Sequence, residues 1–150
     1  MSESALIGID LGKHTFHLHG QDKSGREVFR KKCSRAQMMQ FFGNMPSCVV
    51  VMEACAGSHF VARQLMAMGH TAKLISPQFV KPFVKGNKND FVDAEAICEA
   101  ASRPSMRFVT PKTESQQTLS VLHRMRESLV NDRNKTANQM HGFLLEFGIS

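Results

Sequence analysis

The chain has 150 residues, 42% of them hydrophobic and 21% charged, enough for a single globular domain with a core of its own. Nineteen Lys and Arg against thirteen Asp and Glu leave a formal charge of +6, a balance that favours a polyanionic partner. No cleavable signal precedes Ile7, no apolar run approaches the roughly 20 residues of a membrane span, and the four cysteines form no C-x-x-C pair, so a soluble cytoplasmic chain with no membrane partner is expected.

The apolar run at 5–10 reads as a strand ending in Asp10, and residues 14–20 alternate as a second. In that second strand His14, Phe16 and Leu18 share one face, and Thr15, His17 and His19 the other. Asp22-Lys23-Ser24-Gly25 is a turn, and Glu27 to Lys32 returns antiparallel, completing a three-strand meander. Ser34 caps a helix through Phe42, which Gly43-Asn44-Met45-Pro46 breaks. The continuous apolar strand at 48–52 ends in Glu53, and its lack of alternation predicts a central strand covered on both faces. A helix from Ser58 to Met68 stops at Gly69, and Thr71 to Ile75 is a further strand. After Pro77 and Pro82 the loop at 85–88 leads into a helix capped by Asn89 that ends near Ser102. A short extended piece at 106–109 follows. Glu114 to Phe147 contains no proline and reads as one long helix, about 50 Å at 1.5 Å per residue. Its stripe of Leu119, Leu122, Met125, Leu129, Met140 and Leu144 is interrupted by Arg126, Arg133 and Thr136, which weakens a coiled-coil heptad.

Asp90 and Asp93 stand three residues apart, so they project from one helical face. In a sheet that opens with a meander, the first strand commonly pairs with the strand after the first helix, which places Asp10 beside Glu53. A later helix crossing that edge would add Asp90 and Asp93. Four close carboxylates repel one another unless a cation joins them, and oxygen ligands suit Mg²⁺, with Mn²⁺ as the alternative. Two such ions serve phosphodiester chemistry by activating the attacking oxygen and stabilising the leaving one. Lys73, Lys81, Lys85 and Lys88 approach the acidic pair along the sequence, and Arg26, Arg30, Lys31, Lys32 and Arg35 form a second basic cluster.

Other candidates read as structural. His17 and His19 lie on the open face of an early strand and are expected to be solvated, as are Glu95 and Glu99 on a different face of the acidic helix. Ser58 reads as a helix cap rather than a nucleophile, because no base accompanies it. Cys33, Cys48, Cys55 and Cys98 read as mostly buried thiols, and the eleven Phe and ten Met as mostly core residues.

Ile7-Gly8-Ile9-Asp10-Leu11-Gly12-Lys13, the strand end at Glu53, Lys88-Asn89-Asp90-Phe91-Val92-Asp93-Ala94 and Leu122-His123-Arg124-Met125-Arg126 together carry a family resemblance. Over nearly its whole length the chain resembles the amino-terminal half of the DEDD transposases of insertion-sequence family one-hundred-and-ten, whose domain is like the RuvC resolvase. The resemblance implies an α/β fold of the ribonuclease-H-like (RuvC-like) kind, a mixed sheet flanked by helices, with a long carboxy-terminal helix. It implies Asp10, Glu53, Asp90 and Asp93 as catalytic Mg²⁺ ligands in DNA transposition and recombination. It further implies strand exchange guided by a structured RNA in a multimeric complex. On this reading residues 1–110 are the catalytic domain and 111–150 begin a coiled-coil or linker segment. The family's carboxy-terminal serine domain is absent, so the chain is expected to be an incomplete recombinase. Lys13, Lys81, Lys85, Lys88, Arg124 and Arg126 are the candidate nucleic-acid contacts.

Three rivals differ in class. An actin-like or sugar-kinase ATPase would share Ile9-Asp10-Leu11-Gly12 but needs a second Asp-x-Gly loop and a glycine-rich adenosine motif that this sequence lacks. A non-catalytic nucleic-acid-binding or oligomerisation module, such as a truncated regulator of transposition, shares all the charge features. A stand-alone resolvase would not call for the long terminal helix.

Overall fold

Four neighbouring strands whose side chains are buried on both faces set the middle of the sheet, and the order β3-β2-β1-β4-β5-β6 follows from them. A computed structural model describes residues 6–86 and 89–150. The strands are β1 (Leu6–Leu11), β2 (Thr15–Gln21), β3 (Glu27–Ser34), β4 (Val49–Glu53), β5 (Thr71–Ile75) and β6 (Phe108–Val109). The helices are α1 (Arg35–Gly43), α2 (Ser58–Ala67), α3 (Pro77–Val80), α4 (Asp90–Ala101) and α5 (Glu114–Glu146), with a 3₁₀ turn at Lys81–Phe83. The contacts divide the chain into two units, Met1–Pro111 and Lys112–Ser150.

The meander is present as read: β1 pairs antiparallel with β2, and β2 with β3. The Asp22 carboxylate closes the second turn by accepting from the Ser24 and Arg26 amides at 2.8 and 3.0 Å. Beyond the meander, β1, β4 and β5 run parallel, with β6 antiparallel at the far edge. The α-helical connections between β3, β4 and β5 return the chain to the same edge, as parallel pairing requires. This mixed sheet with helices on both faces is a ribonuclease-H-like fold.

Strand alternation sorts the core into two layers. Ile7, Ile9, Phe16, Leu18, Val50, Met52 and Leu74 face α1 and α2, where Met38, Phe42, Val61, Ala62 and Leu65 complete an apolar cluster. On the opposite face Val51 and Ile75 meet Ala96, Ile97 and Ala100 of α4. β4 supplies both clusters, the two-sided burial that its unbroken run of apolar residues predicts.

Capping matches the sequence at two helices: Ser34 and Gln37 form a reciprocal capping box on α1, and the Asn89 side chain accepts from the Phe91 amide at 3.1 Å. On α5 Thr113 and Gln116 form a second capping box that the sequence reading did not single out. At α2 the expectation shifts by one residue. Gly57, with φ +88°, holds the cap position, and Ser58 is the first helical residue. Its hydroxyl is fully buried and donates to the Cys55 carbonyl at 2.8 Å, so it is neither cap nor accessible nucleophile.

The apolar inventory is also less buried than composition implies. Among the described Phe and Met residues, only Phe16, Phe42, Met38 and Met52 are fully buried, while Phe60, Phe79, Met66, Met68, Met125, Met140, Phe143 and Phe147 are exposed. Cys33 and Cys98 are buried as expected, but Cys48 is half-buried and Cys55 exposed. In the second unit α5 runs unbroken for 33 residues, about 50 Å, and Leu119, Leu122, Met125 and Leu129 lie on it exposed. Among the described residues no helix is long and apolar enough to cross a membrane.

Candidate metal centre

Asp10 occupies the carboxyl end of β1, and Glu53 the carboxyl end of the adjacent parallel strand β4. Alternation puts both on the α4 face of the sheet, because their neighbours Ile9 and Met52 point into the opposite cluster. Asp90 and Asp93 lie in the first turn of α4, where the helix dipole favours negative charge.

The close approach of α4 depends on one residue. Gly8 of β1 sits under the helix, and a Cβ there would stand 2.4 Å from the Ala94 carbonyl oxygen and 2.7 Å from Cys98 Sγ. Only hydrogen fits. Small residues on the buried side of α4, namely Ala94, Ala96, Cys98 and Ala100, match this spacing. Cys98 Sγ donates to the His19 carbonyl at 3.4 Å, and Gln21 donates to Ser102 Oγ at 3.1 Å, which ties the helix along β2. Burial pushes the Cys98 thiol up to about 12, so it is an inert packing group.

With α4 seated, Asp10, Asp90 and Asp93 each offer a carboxylate oxygen within 4.8 Å of the others. Asp90 is exposed and the other two are half-buried, so the cluster opens to solvent on one side. Glu53 stands outside that tight group; it follows Met52, the parallel-strand partner of Ile9, as Asp10 follows Ile9. The Cys55 thiol is raised first by its own partial desolvation, then by the charges of Glu53 and Asp10. The donor set is hard oxygen throughout, and it fits a divalent cation such as Mg²⁺ better than a thiophilic metal.

The histidines of β2 are a correction to the sequence reading. His17 and His19 are 6% and 3% exposed, because α4 covers the face that alternation alone leaves open. His17 is the strand partner of Asp10. Its Nδ1 lies 3.7 Å from Asp90 Oδ2, and its ring meets Phe91 edge-on at 4.7 Å. His19 Nδ1 lies 3.8 Å from Glu27 Oε2 and makes no hydrogen bond, and burial lowers its pKa despite Glu27 and Glu95. Glu95 and Glu99 stay at the surface, paired with Arg30 and Arg103.

The basic candidates fall on several different elements. Lys13 is exposed in the β1–β2 turn, and Lys81 and Lys85 are exposed in the segment before α4. Lys88 falls outside the described residues. Lys73 lies over the Phe108 ring at 4.6 Å. Arg26, Arg30, Lys31 and Lys32 lie on or next to the edge strand β3, with Arg35 opening α1. Arg124 and Arg126 are exposed on α5 in the second unit.

Residues 7–149 match the family model of the IS110-type DEDD transposases, described as transposase. The chain is 63% identical over its full length to the transposase for insertion sequence element IS1328 of Yersinia enterocolitica, covering 45% of that protein. It is 52% identical over 95% of its length to a probable family 20 transposase of Pseudomonas aeruginosa, covering 42% of it. It is 43% identical over its full length to the transposase for insertion sequence element IS1111A of Coxiella burnetii, covering 41%. The chain thus spans less than half the length of these curated relatives.

Proposed function

The chain belongs to the IS110-type DEDD transposases, and from that premise we propose that it is the metal-dependent phosphodiester-processing part of a DNA recombinase. The observation that carries this reading is the convergence of Asp10, Asp90 and Asp93 within 4.8 Å, from two elements far apart in sequence. Asp10, Glu53, Asp90 and Asp93 would hold Mg²⁺ or Mn²⁺. When bound, such a cation supplies charge neutralisation at the phosphodiester and activation of the attacking oxygen.

The protein's own groups prepare that site. Gly8 lets α4 bring Asp90 and Asp93 down to the strand that carries Asp10. The first turn of α4 favours anionic side chains, which offsets part of the repulsion among the acids. Lys13, Lys81 and Lys85, with Lys88 beside them in sequence, would steer and hold a phosphate backbone near the acids. Arg124 and Arg126 would be phosphate contacts of the second unit's own helix. Residues 1–110 form the catalytic domain on this reading, and 111–150 lead into a coiled-coil or linker segment. The family resemblance extends the proposal to a guide RNA and to assembly of several copies, and the cysteine pattern to a cytoplasmic setting.

Calorimetric titration of the 150-residue chain with Mn²⁺ tests the reading. Saturable binding is expected, lost in the Asp10→Ala, Asp93→Ala double variant. Equal heats for both proteins would overturn the proposal and leave a nucleic-acid-binding module without a metal centre.

A further inference from the structure

We infer that His17 is a positioning residue for the carboxylate of Asp90, an inference that rests on the metal-site reading above. An imidazole buried on a sheet face costs free energy unless a polar partner accompanies it, and an apolar side chain would pack there without that cost. His17 is 6% exposed, and what faces its ring nitrogen is Asp90 Oδ2 at 3.7 Å. That separation is a charge-to-ring contact, longer than a hydrogen bond.

Two consecutive residues of α4 engage the same ring. Asp90 meets Nδ1, and Phe91 meets the ring edge-on, with centroids 4.7 Å apart and planes at 79°. His17 is also the strand partner of Asp10, so its backbone is fixed to the strand that supplies the other side of the cluster. The Asp90 side chain is 65% exposed, and a carboxylate that open to solvent would otherwise sample several rotamers. With His17 beside one oxygen, the carboxylate is held in the orientation that brings it within 4.8 Å of Asp10 and Asp93. The ring thus latches the first turn of α4 in two ways, by packing on Phe91 and by orienting Asp90. His19, two residues along, faces Glu27 instead and has no such link to the acids.

The two roles separate by substitution. His17→Phe keeps a planar ring against Phe91 and removes the nitrogen; His17→Gln loses the ring and keeps a polar group on the side of Asp90. The readout is Mn²⁺ affinity of the 150-residue chain, followed by the electron paramagnetic resonance of free Mn²⁺, with a melting curve for each variant. Loss of an outer-shell partner typically costs 10–100-fold, so His17→Phe is expected to bind about tenfold more weakly at an unchanged melting temperature. His17→Gln is expected to bind more tightly than His17→Phe despite melting lower. Wild-type affinity in His17→Phe, or affinity in His17→Gln no better than in His17→Phe, overturns the proposal. An Asp10→Asn control separates the two claims. If Asp10→Asn loses Mn²⁺ while His17→Phe binds normally, only the role of His17 fails; if Asp10→Asn binds like wild type, the metal site itself fails and the inference with it.

Discussion

Gly8→Ala is the substitution that most directly probes how the sheet and α4 build the acidic cluster. The added methyl would lie 2.4 Å from the Ala94 carbonyl oxygen, a backbone atom that no rotamer change can move. Restoring an ordinary carbon–oxygen contact requires α4 to lift by about 1 Å, and overpacking of this kind costs roughly 1–3 kcal/mol. For a chain of this size that corresponds to a fall in melting temperature of about 3–10 °C. Ala94 directly follows Asp93, so the same movement draws Asp90 and Asp93 away from Asp10. Mg²⁺ and Mn²⁺ affinity should therefore fall as well, by about tenfold, because a cation with strict ligand geometry does not follow a ligand displaced by 1 Å. Gly43→Ala is the matched control: nothing lies within 4 Å of its Cβ position in α1, and it should be neutral or stabilising by about 0.4–1 kcal/mol. Differential scanning calorimetry with and without Mn²⁺ reads both effects. A Gly8→Ala protein that melts and binds metal like wild type would refute the close-approach argument.

Burial holds the folded-state pKa of His19 below its ordinary 6.5, outweighing Glu27 and Glu95, so the unfolded chain binds that proton more readily. Its effect on stability is absent well above pH 6.5 and becomes a loss as pH falls below that value; urea unfolding across pH 5–8 should show a shallower acid decline in His19→Gln than in wild type. Asp93→Asn removes one like charge from the cluster, so its melting temperature in EDTA should equal or exceed that of wild type, while the gain from metal, about 1.4 kcal/mol at ten times Kd, should vanish. Ser34→Ala breaks the capping box with Gln37 and should cost about 1 kcal/mol in urea unfolding, with no change in Mn²⁺ affinity.

Much of the architecture was legible because it rests on local rules. The meander, the two-sided strand at Val49–Glu53, the Asn89 cap and the long helix all follow from periodicity and turn chemistry. The pairing of β1 with β4 follows from topology, and it aligns Asp10 and Glu53 on one face. What sequence could not tell is which element covers a given face. Alternation in β2 separates His17 and His19 from Phe16 and Leu18 correctly, but it cannot say that α4 lies over the histidines. Gly8 inside an apolar strand likewise carries no local sign that a helix backbone presses against it. The shift of the α2 cap from Ser58 to Gly57 has a similar origin, since a left-handed glycine and a serine at adjacent positions fit the same helix start.

The central claim, that carboxylates from β1 and the first turn of α4 form a divalent-cation site, is tested most directly by anomalous diffraction from crystals grown with Mn²⁺. The account predicts an anomalous peak about 2.1 Å from carboxylate oxygens of Asp10 and of at least one of Asp90 and Asp93, lost in Asp10→Asn crystals. Well-ordered carboxylates with no peak between them at millimolar Mn²⁺, or a peak that persists without Asp10, would contradict it.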